Sequence, residues 1–224
     1  RIKPFFQPIV DIRTKQPIKY EALVRLIDTD DKIISPFFFL ELSKKSKHYT
    51  KITKLMIEKS IEFMKKTNHS VSINLSYQDI NDKATVEFIV QTLKKHTNIA
   101  HMITFELLES DDIENYDELL QFIDTIKSFG CQLAVDDFGS GYSNFTHLFN
   151  MKPDIVKIDG SLIKEIDRNE NSRNIVQALI DISKKSNIKT VAEFVENEDI
   201  DKIIEELGID YAQGYLYSPP KDIL

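Results

Sequence analysis

Eight short runs of β-type residues restrict what this chain can fold into: "FQPIV" (6–10), "YEALVRL" (20–26), "VSINL" (71–75), "ITFELLE" (103–109), "QLAVDD" (132–137), "DIVKID" (154–159), "KTVAEFV" (189–195) and "AQGYLY" (212–217). Several are apolar almost throughout instead of alternating, the pattern of strands covered on both faces in a parallel sheet. Helical patterns fill most intervals. In "NYDELLQFIDTIKSFG", Tyr116, Leu119, Leu120, Ile123 and Ile126 make one apolar stripe, and Gly130 is placed to cap its end. Asn171 is positioned to cap a helix with Ile175, Leu179 and Ile182 on one face. Ile200, Ile203, Ile204 and Leu207 repeat the stripe before Gly208.

Strand followed by helix, many times over, is the grammar of a barrel or a doubly wound sheet, and eight strands in 224 residues favour the barrel. One interval breaks the rule. Only "DIRTKQPIK" separates the first two runs, and a parallel crossover takes about a dozen residues or more. The expected fold is therefore α/β, a (β/α)8 TIM-type barrel with an antiparallel first strand. No internal repeat, low-complexity tract or linker divides the sequence, so residues 1–224 are read as a single domain. The start on Arg1 instead of methionine suggests a piece excised from a longer protein.

Charge and cysteine usage narrow the function classes. A net charge of −7 and a pI near 5.3 argue against broad binding to nucleic-acid duplexes. Cys131 is the only cysteine, which excludes a disulfide framework or a cysteine-rich metal site and makes the cytoplasm the default setting. No apolar run reaches the ~18–20 residues of a membrane span, so no membrane contact is expected from this segment, although regions outside it could tether it.

Barrel chemistry collects at the C-terminal ends of the strands. There the runs carry Glu21, Leu23 and Arg25; Asn74; Glu106 and Glu109; Asp136 and Asp137; Lys157 and Asp159; Glu193 and Glu196; and Gln213. Any one of these alone reads as a solvated strand end. Together they bring carboxylates from five strands to one rim, which is self-repulsive without a cation. Oxygen donors without histidine or cysteine suit hard divalent ions such as Mg²⁺ or Mn²⁺. A shared carboxylate beside a second one can hold two metals ~3.5–4 Å apart, the arrangement used in phosphoryl displacement. Lys157 would add positive charge at the phosphorus or orient the water. The residues thus point to metal-dependent phosphoester chemistry without naming a substrate.

The ordered segments "YEALVRL" (20–26), "SINLS" (72–76), "FELLES" (105–110), "DDFGSGYS" (136–143), "VKIDG" (156–160), "AEFVEN" (192–197) and "QGYLYSPP" (213–220) resemble the successive motifs of the EAL domain, over nearly the whole chain. The resemblance implies a bacterial signalling phosphodiesterase that hydrolyses cyclic di-GMP to linear 5′-pGpG with two Mg²⁺ or Mn²⁺ ions, inhibited by Ca²⁺, and working as a homodimer. It implies that Glu21, Asn74, Glu106 and Asp136 hold one metal, and that Asp136 and Asp137 hold the second. Glu193 would be general base or ligand, and Lys157 would contact the water or the scissile phosphate. Gln7, Leu23, Arg25 and Gln213 would meet the substrate. Glu109 would steady the loop "DFGSGYSN", where Gly139 and Gly141 allow a sharp turn. Two positions depart from the family pattern: Leu26 stands where tryptophan is common, and Leu108 where threonine is. The alternatives are a catalytically silent EAL-type receptor or scaffold, and a barrel enzyme acting on another phosphoester.

Overall fold

The computed structural model describes residues 1–45, 48–109, 115–140 and 145–223. Among the described residues there are nine strands: β1 (Ile2–Asp11), β2 (Pro17–Ile27), β3 (Ile33–Ile34), β4 (Ser70–Leu75), β5 (Ile103–Leu108), β6 (Gln132–Phe138), β7 (Ile155–Ile158), β8 (Lys189–Ala192) and β9 (Tyr211–Ala212). The sheet runs β1-β9-β8-β7-β6-β5-β4-β2 and closes through β1–β2 pairing, an eight-stranded barrel with helices between strands. β1 is antiparallel to both neighbours, while β2 and β4 through β9 pair in parallel. The short first interval has the consequence expected of it, because five residues can turn a hairpin but cannot cross a barrel. Asp11 seats that hairpin by accepting from the Arg13 and Thr14 N–H groups at 3.0 and 2.9 Å. β3 was not expected. It lies antiparallel to the end of β2, with Leu26 opposite Ile34.

The last two runs are shorter than their composition implied. β8 stops at Ala192, before a left-handed residue at Phe194 (φ 53), and β9 stops at Ala212. Residues 193–195 and 213–216 instead bond to each other: Val195 N–H to Gln213 O at 3.0 Å, and Leu216 N–H to Val195 O at 3.1 Å. Gly214 permits this approach, since a Cβ there would overlap the Val195 backbone. The helix caps also need one correction. Asn169, not Asn171, caps Glu170–Lys185, accepting from the Asn171 and Ser172 N–H groups. The buried face of that helix accordingly holds Val176, Leu179 and Ile180, while Ile175 is exposed. Gly130 and Gly208 do take left-handed conformations at the ends of their helices.

Most of the core lies between barrel and helices, as where Phe63 of the helix Tyr49–Thr67 stacks on Phe6 of β1. Alternation along each strand turns every second residue into the barrel. The lower interior layer holds Ile9, Ala134, Ile155 and Val191, packed as a small apolar cluster, with Lys19, Ser72, Thr104 and Tyr211 at the matching positions of the other strands. Lys19 is buried there and donates to Thr104 Oγ1 at 2.6 Å and Gln132 Oε1 at 3.1 Å. Burial pulls its ammonium down to about 8. Two residues further along each strand stand Glu21, Asn74, Glu106, Asp136, Lys157, Glu193 and Gln213, and two residues earlier on the reversed β1 stands Gln7. The upper layer is thus entirely polar.

Candidate active site

Lys157 is at the centre of that layer, 1% exposed. Its Nζ lies 2.9 Å from Glu106, Asp136 and Glu193 oxygens and 3.3 Å from Glu21. β7 brings a buried cation here because its neighbours deliver carboxylates at the same height. Their summed field outweighs burial and holds the ammonium well above its usual range.

The carboxylates respond differently to the same lysine. Burial works to raise Glu21, but Lys157 and donors from Gln213 (2.8 Å) and Asn74 (2.7 Å) overcome it and leave the group below its ordinary value. Glu193 is also buried beside Lys157, but its Oε2 has no hydrogen-bond partner, and burial drives it well upward. Burial likewise raises Asp136, carries Glu106 to about 7, and with the neighbouring charge of Asp136 carries Asp137 to about 6. Five carboxylates around one ammonium are under-compensated.

The two adjacent aspartates converge through a bulge. Val135 pairs with Val156 and Phe138 with Ile158, so Asp136 and Asp137 together oppose Lys157 alone. Asp137 takes φ 54, a conformation aspartate tolerates better than most residues. Strict alternation would have sent the two side chains to opposite faces. Instead, Asp136, Asp137 and Glu193 form one oxygen cluster and Glu21, Glu106 and Asp136 another, each with its oxygens within 4.8 Å of one another. Asp136 belongs to both. Two buried oxygens at this site, Glu193 Oε2 and Gln213 Oε1, have no partner. Hard oxygen donors, excess negative charge and orphaned acceptors all fit divalent cations of the Mg²⁺ or Mn²⁺ type.

The remaining residues singled out in the sequence surround this centre. Gln7 accepts from Gln213 at 3.2 Å and donates to Ser218 O. Leu23 and Arg25 continue the inward face of β2 into a cavity of about 520 Å³ that also reaches Glu21, Asp136, Asp137, Lys157, Glu193 and Gln213. Asn74 is at the exposed rim. Glu109 stands apart from the cluster, accepting from the Gly139 N–H at 3.2 Å, while its own N–H bonds Asp136 O. Gly139 has φ 96; Gly141 lies outside the described residues. Sequence reasoning passed over Lys164, Phe194 and Tyr215, which line the same cavity. The one signal available was their position inside or just beyond the strand-end motifs.

The EAL domain family model matches residues 1–220. Among curated proteins, the chain is 33% identical over 223 residues to cyclic di-GMP phosphodiesterase PdeF of Escherichia coli K12, covering 97% of this chain and 30% of that protein. It is 34% identical over 224 residues to cyclic di-GMP phosphodiesterase PdeA of Borreliella burgdorferi, covering 98% and 33%. The chain therefore spans about a third of the length of these relatives. Among solved structures, the PaMucR phosphodiesterase in complex with c-di-GMP superposes with a TM-score of 0.90 at 25% identity, covering 99% of this chain and 92% of that one.

Proposed function

This chain belongs to the EAL-domain family, and from that premise we propose that it is a metal-dependent phosphodiesterase hydrolysing cyclic di-GMP to linear 5′-pGpG. The observation that carries the reading is the pair of carboxylate clusters sharing Asp136, of which Glu21, Asp136, Asp137 and Glu193 line one cavity. The names of the relatives support the substrate.

In this reading Glu21, Asn74, Glu106 and Asp136 hold one divalent cation, and Asp136, Asp137 and Glu193 the other. When bound, Mg²⁺ or Mn²⁺ supplies charge neutralisation at the phosphate and makes water a competent nucleophile near neutral pH. The protein's own part is positioning and proton handling. Water attacks phosphorus, one bridging P–O bond breaks, and the leaving O3′ is protonated. Glu193, ionised and with its Oε2 unpartnered, takes the proton from the attacking water, and a proton from solvent balances the leaving O3′. Lys157 places a fixed positive charge where the phosphorane's negative charge develops. Gln7 and Gln213 orient the substrate, Leu23 and Arg25 line its seat, and Glu109 holds the loop after β6 through Gly139.

The same reading takes residues 1–224 as a single EAL module of a longer cytoplasmic protein, active as a homodimer. Its buried free Cys131 agrees with a reducing setting, and among the described residues no helix is long and apolar enough to cross a membrane. The test is turnover: the purified chain with cyclic di-GMP and Mg²⁺ or Mn²⁺ yields pGpG by chromatography, and EDTA stops it. Binding without product would replace the enzyme with the silent receptor, and Ca²⁺ in place of Mg²⁺ should suppress the reaction.

A further inference from the structure

Phe194 follows Glu193 and has φ 53, left-handed backbone that is disfavoured for a bulky aromatic residue. The chain holds it there: Glu193 N–H bonds Ile158 O at 3.2 Å and Val195 N–H bonds Gln213 O at 3.0 Å. The ring has a purpose-built seat. Gly160 and Lys164, one helical turn apart after β7, both pack against it. A Cβ on Gly160 would overlap the ring, and Lys164 Nζ stands 4.3 Å from the ring centroid. Nonetheless 49% of Phe194 remains exposed, and it lines the same cavity as Glu193 and Asp137. An aromatic ring kept in a strained backbone, packed against Gly160 and Lys164 and still half-exposed where it lines a cavity, is the arrangement of a stacking platform.

We propose that the Phe194 ring, seated on Gly160 and flanked by Lys164, stacks one purine base of the bound dinucleotide. This rests on the cyclic di-GMP reading above and adds a specificity-determining residue to it. Glycine at 194 suits the observed φ, so Phe194→Gly removes the platform while relieving backbone strain. The chain contains no tryptophan, so Phe194→Trp keeps a platform and makes it the sole indole reporter.

The experiment is binding of cyclic di-GMP with Ca²⁺ replacing Mg²⁺ to hold turnover. Phe194→Trp should bind within about threefold of the parent, with indole fluorescence quenched at saturation. Phe194→Gly should bind about tenfold more weakly, the ratio that ~1.4 kcal/mol of lost stacking makes, with no fall in Tm. With Mg²⁺, its kcat/KM for cyclic di-GMP relative to bis(p-nitrophenyl) phosphate, a diester without a purine, should fall about tenfold. An unchanged Kd in Phe194→Gly, an equal loss on both diesters, or an unquenched indole at saturation would overturn the proposal. A parent chain that binds cyclic di-GMP without forming product sinks the phosphodiesterase reading and leaves the stacking comparison intact. A parent that does not bind overturns both.

Discussion

Asp136 and Asp137 are sequence neighbours on one strand, yet both carboxylates reach Glu193, because a bulge sets the pair against Lys157 alone and Asp137 turns left-handed. Asparagine tolerates that backbone as well as aspartate does and keeps one oxygen, but it carries no charge. Asp137→Asn is therefore expected to fold with an unchanged or slightly higher Tm. Its turnover of cyclic di-GMP should fall more than about 100-fold, beyond the loss typical of a supporting residue. Near-parental activity at saturating Mn²⁺ would contradict the second cation cluster.

Lys157 holds four buried carboxylates together, so removing it leaves them facing one another. Lys157→Met should cost about 3–5 kcal/mol of stability in EDTA, the usual penalty for taking one partner from a buried charge pair. Mg²⁺ or Mn²⁺ should restore part of that loss without restoring activity. Chemical denaturation with and without metal measures both effects; equal losses in the two conditions would argue against cations at this cluster.

The same carboxylates give the metal-free protein a pH dependence of defined sign. Burial lifts Glu106 to about 7 and Asp137 to about 6, whereas unfolded carboxyls titrate near 4. Between roughly pH 4.5 and 7 the folded chain therefore binds more protons than the unfolded one, and stability falls as pH rises through that window. Glu21 moves the other way, but its depressed value places its contribution below the window. In EDTA, Tm should drop from about pH 5 to about pH 7. Saturating Mg²⁺ should flatten or reverse the slope, because cations favour the ionised cluster. A Tm that rises with pH in EDTA would contradict the assignment.

Gly214 is expected to be intolerant of any side chain. A Cβ there would meet the Val195 backbone, which lacks the freedom of a side-chain tip. Gly214→Ala should lose about 1–3 kcal/mol, typical of overpacking. Because Gln213 and Glu193 flank the contact, KM should rise as well. Hydrogen exchange at the Val195 and Leu216 amides would report the opening directly.

Much of this was already legible in the chain. The eight runs, the brevity of the first interval and the polar residue at the end of each run specify a barrel whose first strand is reversed and whose rim is acidic, because strand periodicity and loop length are local properties. The bounds of the last two strands were not. "AEFV" and "AQGY" have strand composition, but Phe194 turns left-handed and Gly214 packs against Val195, and both depend on a segment roughly 20 residues away. The cap at Asn169 and the exposure of Ile175 were missed for a smaller reason: two asparagines lie two residues apart, and only the packed face distinguishes them.

What the sequence determined by itself is the inventory and its height: one polar residue per strand, two positions past an interior residue, so that closing the sheet necessarily gathers them. What only the tertiary structure decided is direction and charge. Whether two adjacent aspartates point together or apart depends on a bulge against β7, and whether a lysine there is a surface charge or the buried centre of four carboxylates depends on the closed barrel around it. Side-chain alternation is written into a strand, but the electrostatic environment belongs to the neighbours that the fold supplies.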